Sequence, residues 1–217
     1  MLSIPEKIAV VGGTGRLGAA LALRWAKAGV SVSLGSRDGE KARAVAAELG
    51  HGLTGAGNRE AAAGADIVVI AVPFAAQEAT LAELAGVLDG KIVVDTTVPL
   101  VPPKVMRVQL PDDGSAAARA RRLLGDGVTL VSAFHNVAAH KLATDEAADC
   151  DVLVFGDDKD ARARVIALAR AAGLRGLHGG ALVNSAAAEA LTSILIFINK
   201  TYGADGAGLR ITGLSAE

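Results

Sequence analysis

The chain has 217 residues, 51% of them apolar and 21% charged, and its formal net charge is -1. This fits a globular protein of one domain with a small appendage, and the near-zero charge argues against a polyanionic partner such as nucleic acid. The one cysteine, Cys150, excludes a disulfide within the chain and fits a reducing compartment.

Aromatic residues make up only 3%, so Ala, Val, Leu and Ile must build the core. Pro5, Glu6 and Lys7 break the apolar start, so no signal peptide is expected. The apolar run Ile194–Ile198 is too short to span a bilayer. The expected location is cytoplasmic.

In chain order, Ile8–Val11 reads as a strand and Leu17–Ala28 as a helix stopped by Gly29. Val30–Leu34 is a second strand. Asp38 is placed to cap a helix running to Leu49. An edge strand is expected near Leu53, and Asn58 is placed to cap a short helix to Ala63. Asp66–Val72 is continuously apolar after its first residue, as in a parallel strand covered on both faces. Pro73 ends it, and Phe74–Leu88 reads as a helix.

Lys91–Asp95 is the next strand. Thr96–Gly114 holds four of the chain's six prolines and forms a long loop. Ser115 is placed to cap a basic helix, Ala116–Leu124. Val128–Ala133 and Asp151–Phe155 are further strands. Asp157 or Asp158 caps a helix to Ala172, and Leu174–Leu177 is a last strand. Asn184 is placed to cap a long apolar helix to Lys200. Its Ile194–Ile198 run has no polar face and must be buried in the monomer or in a dimer interface. The alternation predicts an α/β fold: a Rossmann-like, doubly wound parallel sheet with a small C-terminal α/β extension. The expected division is a nucleotide-binding domain over residues 1–155 and a small C-terminal domain over 156–217. The latter completes the acceptor site and supplies a candidate dimer interface.

The first strand runs into Gly12-Gly13-Thr14-Gly15-Arg16-Leu17-Gly18, which carries the spacing Gly13-x-Gly15-x-x-Gly18. Between a strand and a helix this is the dinucleotide fingerprint. One glycine makes the tight turn, one lets pyrophosphate reach the backbone, and one lets helix and strand pack closely. The phosphates then meet N–H groups at the positive end of the helix. An NAD site places Asp or Glu about 20 residues further on, at the end of the second strand. Here that corner is Gly35-Ser36-Arg37, with Lys41 one turn beyond. A hydroxyl and two cations suit a 2′-phosphate, so the expected cofactor is NADP(H). Arg16 is read equally as a phosphate contact or plain surface.

In open α/β sheets ligands lie beyond the C-terminal strand ends. Ala71-Val72-Pro73 offers a small rigid surface for one face of a nicotinamide, or simply a strand end. His135 and Asn136 follow a buried strand, where His135 is placed to position or protonate an acceptor. A loop histidine without a role is the plain alternative. His51, His140 and His178 read as surface. No metal-ligand spacing and no GxSxG elbow appears in the sequence.

The chain resembles NADPH-dependent coenzyme F420 oxidoreductases. The motifs are AVVGGTGRLG (Ala9 to Gly18), GSRDGEKA (Gly35 to Ala42), DIVVIAVPF (Asp66 to Phe74), VSAFHNVAA (Val131 to Ala139), FGDD (Phe155 to Asp158) and ALVNSAAAEALT (Ala181 to Thr192). The resemblance implies that Thr14, Ser36 and Arg37 bind NADP, with Lys41 near the 2′-phosphate. It implies that Val72 and Pro73 line the nicotinamide, and that His135, with Asn136 and Val137 beside it, lies near a deazaflavin. It also implies a homodimer. Two features depart from the family pattern. Phe74 stands where the family often has Trp, and the Val98–Gly114 loop looks longer than in archaeal members. The expected activity is hydride transfer between NADPH and coenzyme F420 or a related flavin or deazaflavin. An NADPH-dependent flavin reductase, a dehydrogenase on another small substrate and a non-catalytic NADPH sensor remain as alternatives.

Overall fold

A computed structural model describes residues 4 and 6–214. Eight strands form one sheet in the order β3-β2-β1-β4-β5-β6-β7-β8. They are β1 (Ile8–Val11), β2 (Val32–Ser36), β3 (Thr54–Gly57), β4 (Ile67–Ile70), β5 (Ile92–Asp95), β6 (Thr129–Ser132), β7 (Asp151–Gly156) and β8 (Arg175–Gly180). The first six pair in parallel in the order of a doubly wound dinucleotide fold. The central strands are buried on both faces. On β4, Ile67 and Val69 enter one core and Val68 and Ile70 the other.

The helices are α1 (Arg16–Lys27), α2 (Gly39–Leu49), α3 (Asn58–Ala63), α4 (Phe74–Glu83), α5 (Ala116–Leu124), α6 (Ala139–Leu142), α7 (Lys159–Ala171) and α8 (Ser185–Tyr202). Three caps stand where the sequence places them. Asp38 accepts from the Lys41 N–H, Ser115 from the Ala118 N–H, and Asp158 from the Ala161 N–H. Each closes one of the open donors at its helix start.

The sheet is not parallel throughout. β7 pairs antiparallel with β6, over Val131–Gly156 and Ser132–Phe155 only, and β8 then runs parallel to β7. Such a reversal leaves no trace in hydrophobic periodicity, which is the same for a strand read in either direction. α4 ends at Glu83 rather than at Leu88. Gly86 takes a φ of +78°, and Arg59 Nη1 donates to the freed carbonyls of Glu83 and Ala85, both at 2.8 Å. Asn58 is the first residue of α3 rather than its cap, a position taken by Gly57. Asn184 does not cap α8 with its side chain; its amide donates to the Gly179 carbonyl.

The Ile194–Ile198 run is split. Leu195 is buried, whereas Ile194 and Phe197 are 46% and 52% exposed. The run belongs to a longer helical segment, Leu182–Tyr202, which is long and apolar enough to cross a membrane by length and composition, with a mean hydropathy of 1.5. One side of that segment packs on the rest of the chain. Asn136 Nδ2 donates to the Ala188 carbonyl, and the Glu189 carboxylate accepts from the backbone of α5.

Candidate functional site

The turn between β1 and α1 is shaped by contacts that leave no room for side chains. Gly12 has a φ of +76°, and a Cβ there would stand 2.7 Å from the Ala71 carbonyl oxygen. At Gly13 it would stand 2.7 Å from the Val10 carbonyl, and at Gly18 2.8 Å from that of Gly12. Gly15 opens α1 as its cap residue, without a side-chain cap and with no acidic residue in the first turn. The donors of α1 therefore face outward with nothing anionic beside them, as an anion site requires. Leu17 leans on the core and Arg16 is exposed.

A cleft of about 640 Å³ starts at this turn. Gly12, Thr14 and Gly15 form its first corner. Ser36, Arg37, Asp38 and Lys41 form a second corner at the end of β2. Ala71, Val72 and Pro73 form a third at the end of β4. Ser36 is 9% exposed, and its hydroxyl accepts from the Asp38 N–H at 3.2 Å. Arg37 and Lys41 are exposed, and neither side chain has an ion-pair partner among the described residues. Two unmatched cations beside a hydroxyl suit a doubly charged phosphate monoester.

Gly13, Arg16, Leu17 and Gly18 shape the turn without lining the cleft, and His135, Asn136 and Val137 lie outside the lining as well. His135 is buried and shares a 2.8 Å hydrogen bond with Ser132 through Nε2. Burial pushes its imidazole down to about 3, so the ring is neutral at neutral pH. Its carbonyl accepts from Thr192 Oγ1 at 3.1 Å, and Asn136 Nδ2 donates to the Ala188 carbonyl at 2.9 Å. Both residues fasten the end of β6 to α8. The preceding Phe134 holds a φ of +65°, unusual for a bulky side chain, and its ring meets Trp25 edge-on at 5.9 Å.

A second polar group lies under the end of β5. The buried Asp95 carboxylate accepts from Gln77 Nε2 at 2.6 Å and from the Thr97 N–H at 3.0 Å. Glu189 of α8 accepts from the Ala116 and Ala117 N–H groups, at 2.6 and 3.1 Å, and from Ser185 Oγ. Burial raises Asp95 to about 6 and Glu189 to about 7. Nothing in local sequence announces this network, because its bonded partners lie up to 73 residues apart. The remaining cleft residues, Asn58, Ala76, Ala79, Thr80 and Glu83, also escape a motif search. Their one signal is the small-residue face of α4 just after Pro73. Phe74 points elsewhere, under the Arg119 guanidinium 4.2 Å from its ring centre.

The chain is similar to known proteins over most of its length. The family described as NADP oxidoreductase coenzyme F420-dependent matches residues 7–99. The F420-dependent NADP reductase of Methanothermobacter thermautotrophicus is 40% identical over 97% of this chain and 97% of its own. That of Methanocaldococcus jannaschii is 38% identical over 96% and 99%. A crystal structure of a candidate F420-dependent NADP reductase from Arthrobacter sp. FB24 superposes with a TM-score of 0.81 at 27% identity, covering 95% of this chain and 99% of that one. The chain belongs to the F420-dependent NADP reductase family.

Proposed function

We propose that this protein transfers a hydride between NADPH and a deazaflavin coenzyme of the F420 type. The observation that carries this reading is the cleft itself. It joins an uncapped helix start at Gly15 to the unmatched cations Arg37 and Lys41, and takes in the apolar corner Ala71-Val72-Pro73. Bound NADP(H) supplies the hydride-carrying ring. The protein's part is orientation and exclusion of water, which hydride transfer needs more than an acid or base.

In this reading Thr14, Gly15 and the N–H groups of α1 hold the pyrophosphate. Gly13 and Gly18 keep the turn tight, and Arg16 and Leu17 open the helix behind it. Ser36, Arg37 and Lys41 hold the 2′-phosphate. Ala71, Val72 and Pro73 pack against one face of the nicotinamide. His135, Asn136 and Val137 set the acceptor side by fixing the end of β6 against α8. The neutral, buried imidazole acts there as a positioning group and carries no charge to the acceptor. Residues 156–217 complete that side. The exposed apolar side chains of Ile194, Phe197 and Tyr202 on α8 support a homodimer, and the near-neutral, single-cysteine chain supports a cytoplasmic location.

The test is turnover of NADPH with purified coenzyme F420, run beside riboflavin and FMN. Reduction of F420 with no comparable rate for the flavins is the expected result. Turnover with flavins alone makes the protein a flavin reductase. Tight NADPH binding without any turnover makes it a sensor.

A further inference from the structure

The cleft is also lined by one face of α4 and by Asn58, which stands against Gly35 at the end of β2. Ala76, Ala79, Thr80 and Glu83 line it on α4. Their spacing of i, i+3, i+4 and i+7 puts them on one stripe of the helix. The two alanines leave a flat, shallow, apolar strip of the kind that accepts the face of a planar ring. Glu83 closes its far end.

Glu83 is exposed, yet its carboxylate is held. Asn58 Nδ2 donates to Glu83 Oε2 at 3.2 Å, and Asn58 itself is 3% exposed. Only the nitrogen of that amide can donate to a carboxylate, so the contact fixes which way the amide faces. The cost is visible on the other side: Asn58 Oδ1 is buried and has no partner. Arg59 pins the same helix end through the Glu83 and Ala85 carbonyls. Glu83 Oε1 has no partner among the described residues. A carboxylate in the last turn of a helix also works against the helix dipole, so helix stability does not account for it.

We propose that Glu83, oriented by Asn58, reads the exocyclic 6-amino group of the adenine of NADP(H). This rests on the dinucleotide reading of the cleft and adds the base to it. With phosphates at the start of α1 and ribose at the end of β2, the base lies beyond the ribose, along the alanine strip. An ionised carboxylate only accepts, so it selects a base edge that donates. Adenine presents an amino group there. A 6-oxopurine presents a carbonyl, which sets acceptor against acceptor.

The experiment is calorimetric binding, without any hydride acceptor, of NADPH and of its deaminated analogue, in which hypoxanthine replaces adenine. Wild-type protein is expected to favour NADPH by about tenfold, as for one hydrogen bond to a charged group. Glu83→Gln, whose amide can turn its N–H to a carbonyl, should shift preference towards the deaminated analogue, and Glu83→Ala should bring the two ligands level. Arg37→Ala should weaken both in the same proportion. Equal binding of the two by wild type, or the same preference in all the Glu83 variants, overturns the inference and leaves the dinucleotide site standing. Failure of wild type to bind NADPH overturns both.

Discussion

The two sides of the strand-end edge use polar residues in opposite ways. Around Gly12, Ser36 and Ala71 the polar groups face an open cleft, and Arg37 and Lys41 have no ion-pair partner among the described residues. Around Asp95, Ser132 and His135 the polar groups are buried and spent on one another or on α8. A polar residue after a buried strand is therefore ambiguous. It faces an open cleft where the neighbouring helix starts with glycine, and it becomes a fastening where a later helix lies across it. The open side leaves its polar groups free; the closed side is held together by bonds between segments far apart in the chain.

Breaking the backbone of the open side should have the largest effect. Gly12→Val places a branched side chain at positive φ, against the Ala71 carbonyl at 2.7 Å and Val72. A loss of about 3 kcal/mol or more in unfolding free energy is expected, as for overpacking combined with strain. Denaturant unfolding measures it, and a near-normal midpoint would show that the turn yields.

On the closed side, pH is the probe. Glu189 holds its proton up to about 7 in the fold against 4.5 as its ordinary value. The folded state therefore binds the extra proton between those values, and this contribution to stability falls as pH rises from about 4.5 to 7. The expected fall is on the order of 3 kcal/mol. Asp95 acts in the same sense between 3.8 and about 6. His135 opposes both: kept neutral down to about 3, it adds stability that is lost as pH falls below 6.5. Glu189→Gln should flatten the decline between pH 5 and 7.5 in thermal melts. An unchanged slope would mean that the carboxylate is ionised throughout.

The charge of the open side gives a third contrast. Arg37→Ala should raise the Michaelis constant for NADPH roughly ten- to a hundredfold, the worth of a hydrogen bond to a charged group, with NADH little affected. Equal effects on both coenzymes would remove Arg37 from the 2′-phosphate. The smallest expected effect belongs to the fastenings. Asn136→Ala removes the 2.9 Å donor to the Ala188 carbonyl, which keeps Thr192 Oγ1, and should cost about 0.5–1.5 kcal/mol. NADPH affinity measured by calorimetry should not change, and a parallel loss of affinity would place Asn136 on the cleft after all.

The open side was the more legible in sequence because local rules make it. A glycine turn, a Ser-Arg corner and a proline-ended strand each lie within a few residues. The Asp38, Ser115 and Asp158 caps were legible for the same reason. The closed side depends on partners far apart in the chain. Glu189 meets Ala116 and Asn136 meets Ala188 only once β7 has reversed direction, and that reversal has no local signature. The α4 face of the cleft lay between these cases. The alanines of α4 were plain in the sequence, but what their shared face looks upon depends on β2 and α3. His135 shows the limit most clearly. Its position after β6 is that of a ligand-facing residue, while its ring is turned inward to Ser132.

Trp25 is the only tryptophan in the chain, and it is fully buried, with Nε1 donating to the Leu168 carbonyl at 2.8 Å and its ring edge-on to Phe134. Tryptophan fluorescence therefore has a single source, placed one residue away from His135 through Phe134 rather than on the cleft. Its emission maximum reports whether α1, α7 and the end of β6 remain packed, and stays silent on ligand contact by itself. Because reduced nicotinamide absorbs where tryptophan emits, quenching on NADPH addition without a shift in maximum would be energy transfer to a bound coenzyme across an unchanged fold. One spectrum thus separates occupancy of the open side from loosening of the closed one.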